Sequence, residues 1–319
     1  MLATSERVDP QFRADVIAGL NQYIPSVPAR WLYDRRGSEL FDDITRLPSY
    51  YPTRTETALL ERIAPDLAQA VRPGSVMVEF GAGSATKTPI LLRAVKPASY
   101  VPIDISGDYL RESAATVAKD FPAVDVIPVE GDFTRPVPLP GSIEALPKLG
   151  FFPGSTIGNF VPASATDLLR AFRADLGTGA RLLIGMDRVK PVARLLAAYD
   201  DPEGVTAEFN LNLLHRINRE LDADIPVDAF RHQARWNDML GRIEMHLIAM
   251  RDVEFSIEGR RFTFRRGQSI HTENSHKYGP RGARLLLLAG GWTPVAEWNA
   301  PNEDFALILA EAQRERFAP

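Results

Sequence analysis

The segment Val76–Thr88, VMVEFGAGSATKT, constrains this chain more than any other. An apolar run reaches Glu79-x-Gly81-x-Gly83 and gives way to helix-forming residues ending around Leu92-Arg93. Glycines at a strand-to-helix turn let the backbone approach a ligand closely, and a helix N-terminus adds oriented N–H groups. A doubly wound α/β sheet holds a nucleotide-like cofactor in this way, at the carboxyl end of its first strand. An ordinary tight turn between strand and helix satisfies the same short string, so the flanking sequence has to decide.

That sequence repeats the strand–helix rhythm. Ahead of the segment, Thr53-x-x-Glu56 has capping-box spacing and opens a predicted helix with Leu59, Leu60, Ile63, Leu67 and Val71 on its apolar face. After it, strands are predicted at Ser99–Ile105, Val124–Val129, Phe152–Ile157 and Arg181–Met186. Helices are expected to about Val95, from about Asp108 to Phe121, and over Thr166–Leu176. This alternation predicts a parallel sheet, and right-handed crossovers put the strand ends on one rim.

Two cofactor classes compete for the glycine turn. A dinucleotide fingerprint needs a third small residue three positions after the second glycine, and Thr86 stands there. S-adenosylmethionine sites use acidic-x-Gly-x-Gly without that third position, which Glu79, Gly81 and Gly83 fit. Asp104 ends the second predicted strand, 21 residues beyond Gly83, where a carboxylate can accept both ribose hydroxyls. Asp132-Phe133 ends the third, offering an acceptor for an adenine amino group beside an apolar ring. A helix cap and a turn would use the two aspartates equally well singly; together at successive strand ends they favour an adenosyl cofactor.

Composition sets outer limits. The 319 residues suffice for one large domain or two modest ones. A net charge of −4 lacks the basic surplus of a nucleic-acid binder. With no cysteine there are no disulfides or thiolate metal sites, which suits a cytoplasmic protein. The opening MLATSERVDP lacks a signal-peptide core, and the longest aliphatic run, Leu285–Ala289, is far too short to span a membrane. A soluble protein without membrane or nucleic-acid partners is expected. The five histidines form no metal motif, and neither a nucleophile elbow nor a phosphate loop is present.

Beyond Asp187 the rhythm changes. Helices at Val192–Tyr199 and Thr206–Leu221 precede a β-rich stretch from about Phe230 to Phe264, with Arg242–Met250 alternating and Glu258-Gly259 as a hairpin turn. Arg284–Ala289 and Phe305–Leu309 read as two more sheet strands. The material between is too long for a loop and reads as an inserted lobe. The expected division gives 59–192 with 284–319 to the cofactor-binding domain, and 1–58 with 193–283 to a substrate-binding lobe. Candidate substrate residues lie in this lobe and on the rim. Asn159, closing Gly154-Ser-Thr-Ile-Gly-Asn159, offers both a donor and an acceptor. Tyr33, Phe41, Tyr50 and Tyr51 form an unusually aromatic cluster; core packing is its alternative use, and the plainer one for Phe41. Glu273-x-Ser275 can cap a polar ligand or lie in a solvated loop.

Six strings occur in order: Leu47-Pro-x-Tyr50-Tyr-Pro-Thr-Arg-Thr-Glu56, Glu79-x-Gly-x-Gly-x-x-x-Lys87-Thr, Gly131-Asp-Phe133, Gly154-Ser-Thr-Ile-Gly-Asn-Phe160, Ala198-Tyr-Asp-Asp201 and Thr272-Glu-x-Ser275. Together they resemble the histidine-specific S-adenosylmethionine-dependent methyltransferases that open ergothioneine biosynthesis, over nearly the whole chain from Trp31 to Phe305. The resemblance implies a Rossmann-like methyltransferase sheet with an inserted α+β substrate-binding lobe, acting as a monomer. It implies cofactor contacts at Gly81, Lys87, Asp104, Asp132 and Phe133, with Lys87 serving the methionine carboxylate. Tyr50, Asn159 and Tyr199 match the catalytic-site residues that hold the α-amino and α-carboxylate groups of histidine. Tyr33 and Phe41 match its aromatic neighbours, and Glu273 and Ser275 the pair that reads the imidazole.

The implied reaction converts L-histidine to Nα,Nα,Nα-trimethyl-L-histidine in three transfers, releasing S-adenosylhomocysteine each time and using no metal. A sister enzyme acting on another amino acid, such as an indolic one, and a non-catalytic adenosyl-cofactor sensor are the alternatives. A nicotinamide-dependent dehydrogenase lacks the third small residue at Thr86.

Overall fold

The computed structural model describes residues 9–313. The chain begins with helices α1 (Pro10–Leu20), α2 (Arg35–Arg46) and α3 (Tyr51–Ala70). There follow β1 (Val76–Phe80), α4 (Thr88–Val95), β2 (Ser99–Asp104), α5 (Gly107–Asp120), β3 (Asp125–Val126), β4 (Val129–Glu130), β5 (Lys148–Phe152), α6 (Pro162–Leu176) and β6 (Arg181–Asp187). Next are α7 (Val192–Tyr199), α8 (Val205–Glu220), β7 (Phe230–Asn237), β8 (Arg242–Ala249), β9 (Val253–Ile257), β10 (Arg260–Phe264) and β11 (Ser269–His276). The last elements are α9 (Pro280–Ala289), β12 (Trp292–Asn299) and β13 (Phe305–Ala312).

The chain divides into two compact units: a lobe of Met1–Tyr50 and Pro191–Asn274, and a sheet unit of Tyr51–Lys190 and Ser275–Pro319. Residues 1–8 and 314–319, which the sequence division assigned to these parts, lie outside the described residues.

The sheet unit is a mixed α/β structure around the order β12-β13-β6-β5-β1-β2-β3, with β4 also on β2. Strands β1 to β6 pair in parallel, whereas β13 runs antiparallel to β6 and β12 antiparallel to β13. Alternate residues of β1 serve two cores. Val76, Val78 and Phe80 pack with Leu168, Leu169 and Phe172 of α6 and Leu286 and Leu287 of α9. Met77 packs with Leu60, Ile63 and Leu67 of α3 and Leu91 and Leu92 of α4. Both faces are therefore covered, which is why these strands read as apolar runs rather than alternations. The strand order reverses beside β1, where such sheets place their ligands.

Several expectations need correction. Arg284–Ala289 is helical, within α9: Ala283, Leu286 and Leu287 are buried while Leu285 is 55% exposed, a 3.6-residue stripe inside a short aliphatic run. The antiparallel partner of β13 is instead β12, unforeseen because Pro294 lies in it. That strand is at the sheet edge, with its register shifted between Pro294 and Ala296, which is where a residue without an N–H is tolerated. The third strand is broken into β3 and β4 around Pro128 for the same reason. The fourth strand ends at Phe152, where it was expected to begin. Gly154 at φ +76° and Ser155 at φ +58° then turn the chain into a short 3-10 helix, Thr156–Asn159. Thr53 lies inside α3 rather than at its start, which is Tyr51.

In the lobe, β7 and β8 pair antiparallel in a three-stranded sheet ordered β11-β8-β7, and β9 and β10 form a hairpin around Glu258-Gly259. Strand β11 was missed by the sequence reading, so Glu273 and Ser275 lie on a strand rather than in a solvated loop. Among the described residues no helix is long and apolar enough to cross a membrane.

Candidate active site

The cofactor candidates converge on the carboxyl rim of the sheet unit. Gly81 follows β1 at φ +72°, and a Cβ there would lie 3.2 Å from Cε1 of Phe133. Glycine is thus required twice, by its backbone angle and by the ring beside it. The Gly83 N–H donates to Oδ2 of Asp104 at 2.9 Å, and the Ser106 N–H donates to Oδ1 at 2.9 Å. Burial raises the Asp104 pKa above the ordinary carboxylate value, while these backbone donors pull it back. Asp132 Oδ1 accepts from the Thr134 N–H at 2.9 Å and the Thr134 hydroxyl at 2.6 Å. The neighbouring Phe133 ring stands edge-on to Phe152, centroids 5.6 Å apart.

The acid of the glycine motif works inside the fold. Glu79 is buried, and its Oε2 accepts from Thr88 Oγ1 at 2.7 Å and from the Tyr100 hydroxyl at 2.6 Å. Burial is the main cause that pushes its pKa up to about 7. Because Thr88 opens α4, this carboxyl ties the helix start to β1 and β2. A loop thus separates Gly83 from the helix, which begins later than the glycine spacing suggested. Lys87, the residue before α4, pairs with the buried Glu56 carboxylate, which also accepts from the Gly154 N–H at 2.8 Å.

Asn159 closes the 3-10 turn after β5. A Cβ on the preceding Gly158 would meet the His276 carbonyl oxygen at 2.8 Å, so the turn lies directly against the end of β11 that carries Ser275. Ser275 is buried and accepts from Lys277 Nζ at 2.7 Å.

The remaining candidates lie in the lobe, where they touch one another. Tyr33 stands edge-on to Phe41 at 5.6 Å, Phe41 edge-on to Tyr50 at 6.2 Å, and Tyr50 edge-on to Tyr199 at 6.1 Å. The Tyr33 hydroxyl donates to Glu273 Oε1 at 3.4 Å. Burial and the nearby Glu273 carboxylate hold the Tyr33 pKa well above the ordinary phenol value, so it stays a donor. Phe209 of α8 packs edge-on to Tyr33 at 5.4 Å and lies 6.1 Å from Phe41. Sequence reasoning passed over Phe209 because an apolar residue on an amphipathic helix carries no distinguishing signal. Tyr51, grouped with these aromatics in the sequence, belongs to the sheet unit and donates to Asp187 at 2.5 Å.

The sequence signature described as histidine-specific methyltransferase, SAM-dependent, matches residues 12–312. The chain belongs to this family. It is 41% identical to the histidine N-alpha-methyltransferase of Mycobacterium tuberculosis, over 93% of this chain and 94% of that protein. The corresponding protein of Mycolicibacterium smegmatis is 40% identical over the same shares of the two chains. Ergothioneine biosynthesis protein 1 of Neurospora crassa is 29% identical over 90% of this chain and 33% of its own length.

As a member of the histidine-specific methyltransferases, the protein is an S-adenosylmethionine-dependent N-methyltransferase. The residues fit that cofactor. Space kept open by the missing Cβ of Gly81, an acceptor carboxylate at the end of β2 and an aromatic ring at Phe133 are what a nucleoside needs. Among the described residues no group of three or more His, Asp or Glu side chains is arranged to hold a metal ion. Asp187, Lys190 and Lys277 are buried charged residues that the sequence left without a part, and Glu56 is one it placed in a helix cap. Lys277 was within reach, since it follows Ser275 by two residues in an extended segment and so shares its face.

Proposed function

We propose that this enzyme methylates the α-amino group of L-histidine three times in succession, giving Nα,Nα,Nα-trimethyl-L-histidine as the first step of ergothioneine biosynthesis. The observation that carries this reading is the buried Glu273 carboxylate, on the same strand as Ser275 and facing the Tyr33 hydroxyl. Buried polar groups of this kind reject a side chain that leaves them unpaired, so an apolar amino acid is excluded more strongly than a missing methylene would achieve. In this reading Tyr50, Asn159 and Tyr199 hold the α-amino and α-carboxylate groups, and Tyr33 and Phe41 form aromatic walls. Glu273 and Ser275 take the two imidazole nitrogens.

Gly81, Asp104, Asp132, Phe133 and Lys87 hold the cofactor, which supplies a methyl group on a positively charged sulfur. The chain's own work is to present a neutral amine in line and keep water out. The proton released by the amine passes to water or to the Tyr50 oxygen. Aromatic faces suit the growing methylammonium, because ring quadrupoles attract quaternary cations. The same reading makes the enzyme a cytoplasmic monomer, which light scattering of the purified protein tests in part.

The deciding experiment is mass spectrometry of the protein incubated with S-adenosylmethionine and a mixture of amino acids. Histidine alone should gain one, two and three methyl groups. Methylation of an indolic amino acid instead would replace this assignment with the sister-enzyme reading, and binding without product would favour a sensor.

A further inference from the structure

Ser275 belongs to a buried ionic network that the assigned reaction does not use. Lys277 Nζ lies 2.7 Å from Ser275 Oγ and 2.8 Å from Asp187 Oδ2. The Lys277 and Asp187 side chains are 0% and 1% exposed. Asp187, the last residue of β6, is also paired with Lys190 and accepts from the Tyr51 hydroxyl at 2.5 Å. Lys190 in turn donates to the Tyr51 oxygen at 2.7 Å and to the Asp304 carbonyl at 2.8 Å. Two ammonium groups therefore share one carboxylate in the interior. Burying charge in this way is expensive, and apolar side chains of similar volume would commonly stabilise the fold as well or better. Such a network is expected where it fixes the direction of a polar group.

The direction is set by donor inventory. An ammonium has three hydrogens and no lone pair, so in its bond to Lys277 the Ser275 oxygen accepts. The single hydroxyl hydrogen must then point away from Lys277. We propose that Lys277, anchored by Asp187, is a positioning residue for histidine recognition: it makes Ser275 a hydrogen-bond donor toward the unprotonated nitrogen of the imidazole. This rests on the assignment of Ser275 to the imidazole. Glu273, an acceptor, takes the N–H of the other ring nitrogen. The pair then selects a neutral ring with one N–H and one lone pair. A phenyl ring has neither, and an indole has the N–H without the lone pair.

The test compares Lys277→Met, Ser275→Ala and the double variant by steady-state kinetics for histidine and by calorimetry for S-adenosylhomocysteine. Asp187 keeps Lys190 and Tyr51 in Lys277→Met, so no buried charge is orphaned. Each single variant should raise the histidine KM about tenfold, the worth of one hydrogen bond. S-adenosylhomocysteine affinity should change less than about twofold, and the double variant should be no worse than Ser275→Ala alone. A purely structural loss would move cofactor binding as well and would add in the double variant; that result overturns the proposal. An unchanged KM in folded Lys277→Met, with Ser275→Ala impaired, overturns the proposal and leaves the Ser275 assignment standing. An unchanged KM in Ser275→Ala overturns both. Should Lys277→Met not fold, Lys277→Gln, which shortens the donor out of reach of Ser275, replaces it with the same expected and contrary results.

Discussion

Glu56, inside α3, and Lys87, just before α4, form an ion pair whose carboxylate is fully buried and whose ammonium is 13% exposed. Gly185 makes room for it: a Cβ at that position would lie 2.1 Å from Glu56 Oε1. The Gly154 N–H, 2.8 Å from the same carboxylate, brings the turn after β5 into the arrangement. Glu56 thus sets where the Lys87 ammonium stands before any ligand arrives.

Replacing Lys87 with Met would leave the Glu56 carboxylate buried with the Gly154 N–H as the remaining named donor. Breaking such a pair from one side typically costs about 3–5 kcal/mol. The expected loss is at the lower end, since Lys87 is not wholly buried, and S-adenosylhomocysteine affinity should fall with it. Urea denaturation and calorimetry measure the two effects. Glu56→Gln, whose amide oxygen still accepts, should lose less stability. Equal stability of Lys87→Met and the wild type would mean that the pair supports nothing.

Gly81 and Gly83 separate strain from contact. Both are in the left-handed region, at φ +72° and +51°, and alanine there costs about 1–2 kcal/mol in either case. A Cβ at Gly81 meets Phe133 at 3.2 Å, whereas one at Gly83 meets nothing within 4 Å. Gly81→Ala should therefore weaken S-adenosylhomocysteine binding more than Gly83→Ala does, with similar losses in melting temperature. Matching affinities for the two variants would show that the Phe133 ring yields freely.

The parallel core was legible because its strands are buried on both faces and written as apolar runs punctuated by glycine, and Asp104 could be placed from the spacing alone. Where the run was short, the sequence was ambiguous. Leu285–Leu288 is as good a strand as a helix until α6 is there to receive one face of it. Pro294 disguised β12, and Glu56 was drawn into a capping box three residues from Thr53. Its burial depends on Gly185 and Gly154, which are distant in the chain and meet it only in the folded sheet. Among the acceptor candidates Tyr199 entered only through the family resemblance, which also supplied the roles proposed for the others; Phe209 and Lys277, outside the family strings, were not singled out.

Glu273→Ala removes the acceptor that the proposed function assigns to the imidazole N–H. A hydrogen bond to a charged group is worth about 1.5–3 kcal/mol, so the histidine KM should rise by roughly 10- to 100-fold. Cofactor affinity should hold, because the cofactor candidates lie elsewhere in the chain. Unchanged histidine kinetics would rule Glu273 out as the specificity residue.

The lobe should be acid-sensitive through His246. This ring is buried 5.1 Å from His271, with Ser269 Oγ 3.2 Å from Nδ1 and Glu244 Oε2 3.4 Å from Nε2. Burial chiefly, then the charges of His271 and Arg235, pushes its pKa down from 6.5 to about 4, while Glu244 opposes the shift. The folded protein therefore keeps His246 neutral where the unfolded chain protonates it. Its contribution is fully present above pH 6.5 and is lost as pH falls to about 4, on the order of 3 kcal/mol in all. Glu79 acts in the opposite sense, because its raised pKa of about 7 adds stability as pH falls from 7 toward 4.5. The wild-type curve is a sum of such terms, and the difference from a His246→Gln variant isolates one of them. Denaturant unfolding at pH 7, 6, 5 and 4 should show the wild type losing stability relative to His246→Gln at each step below 6.5. A difference that stays constant across that range would mean His246 takes up its proton in the folded state as readily as in the unfolded one.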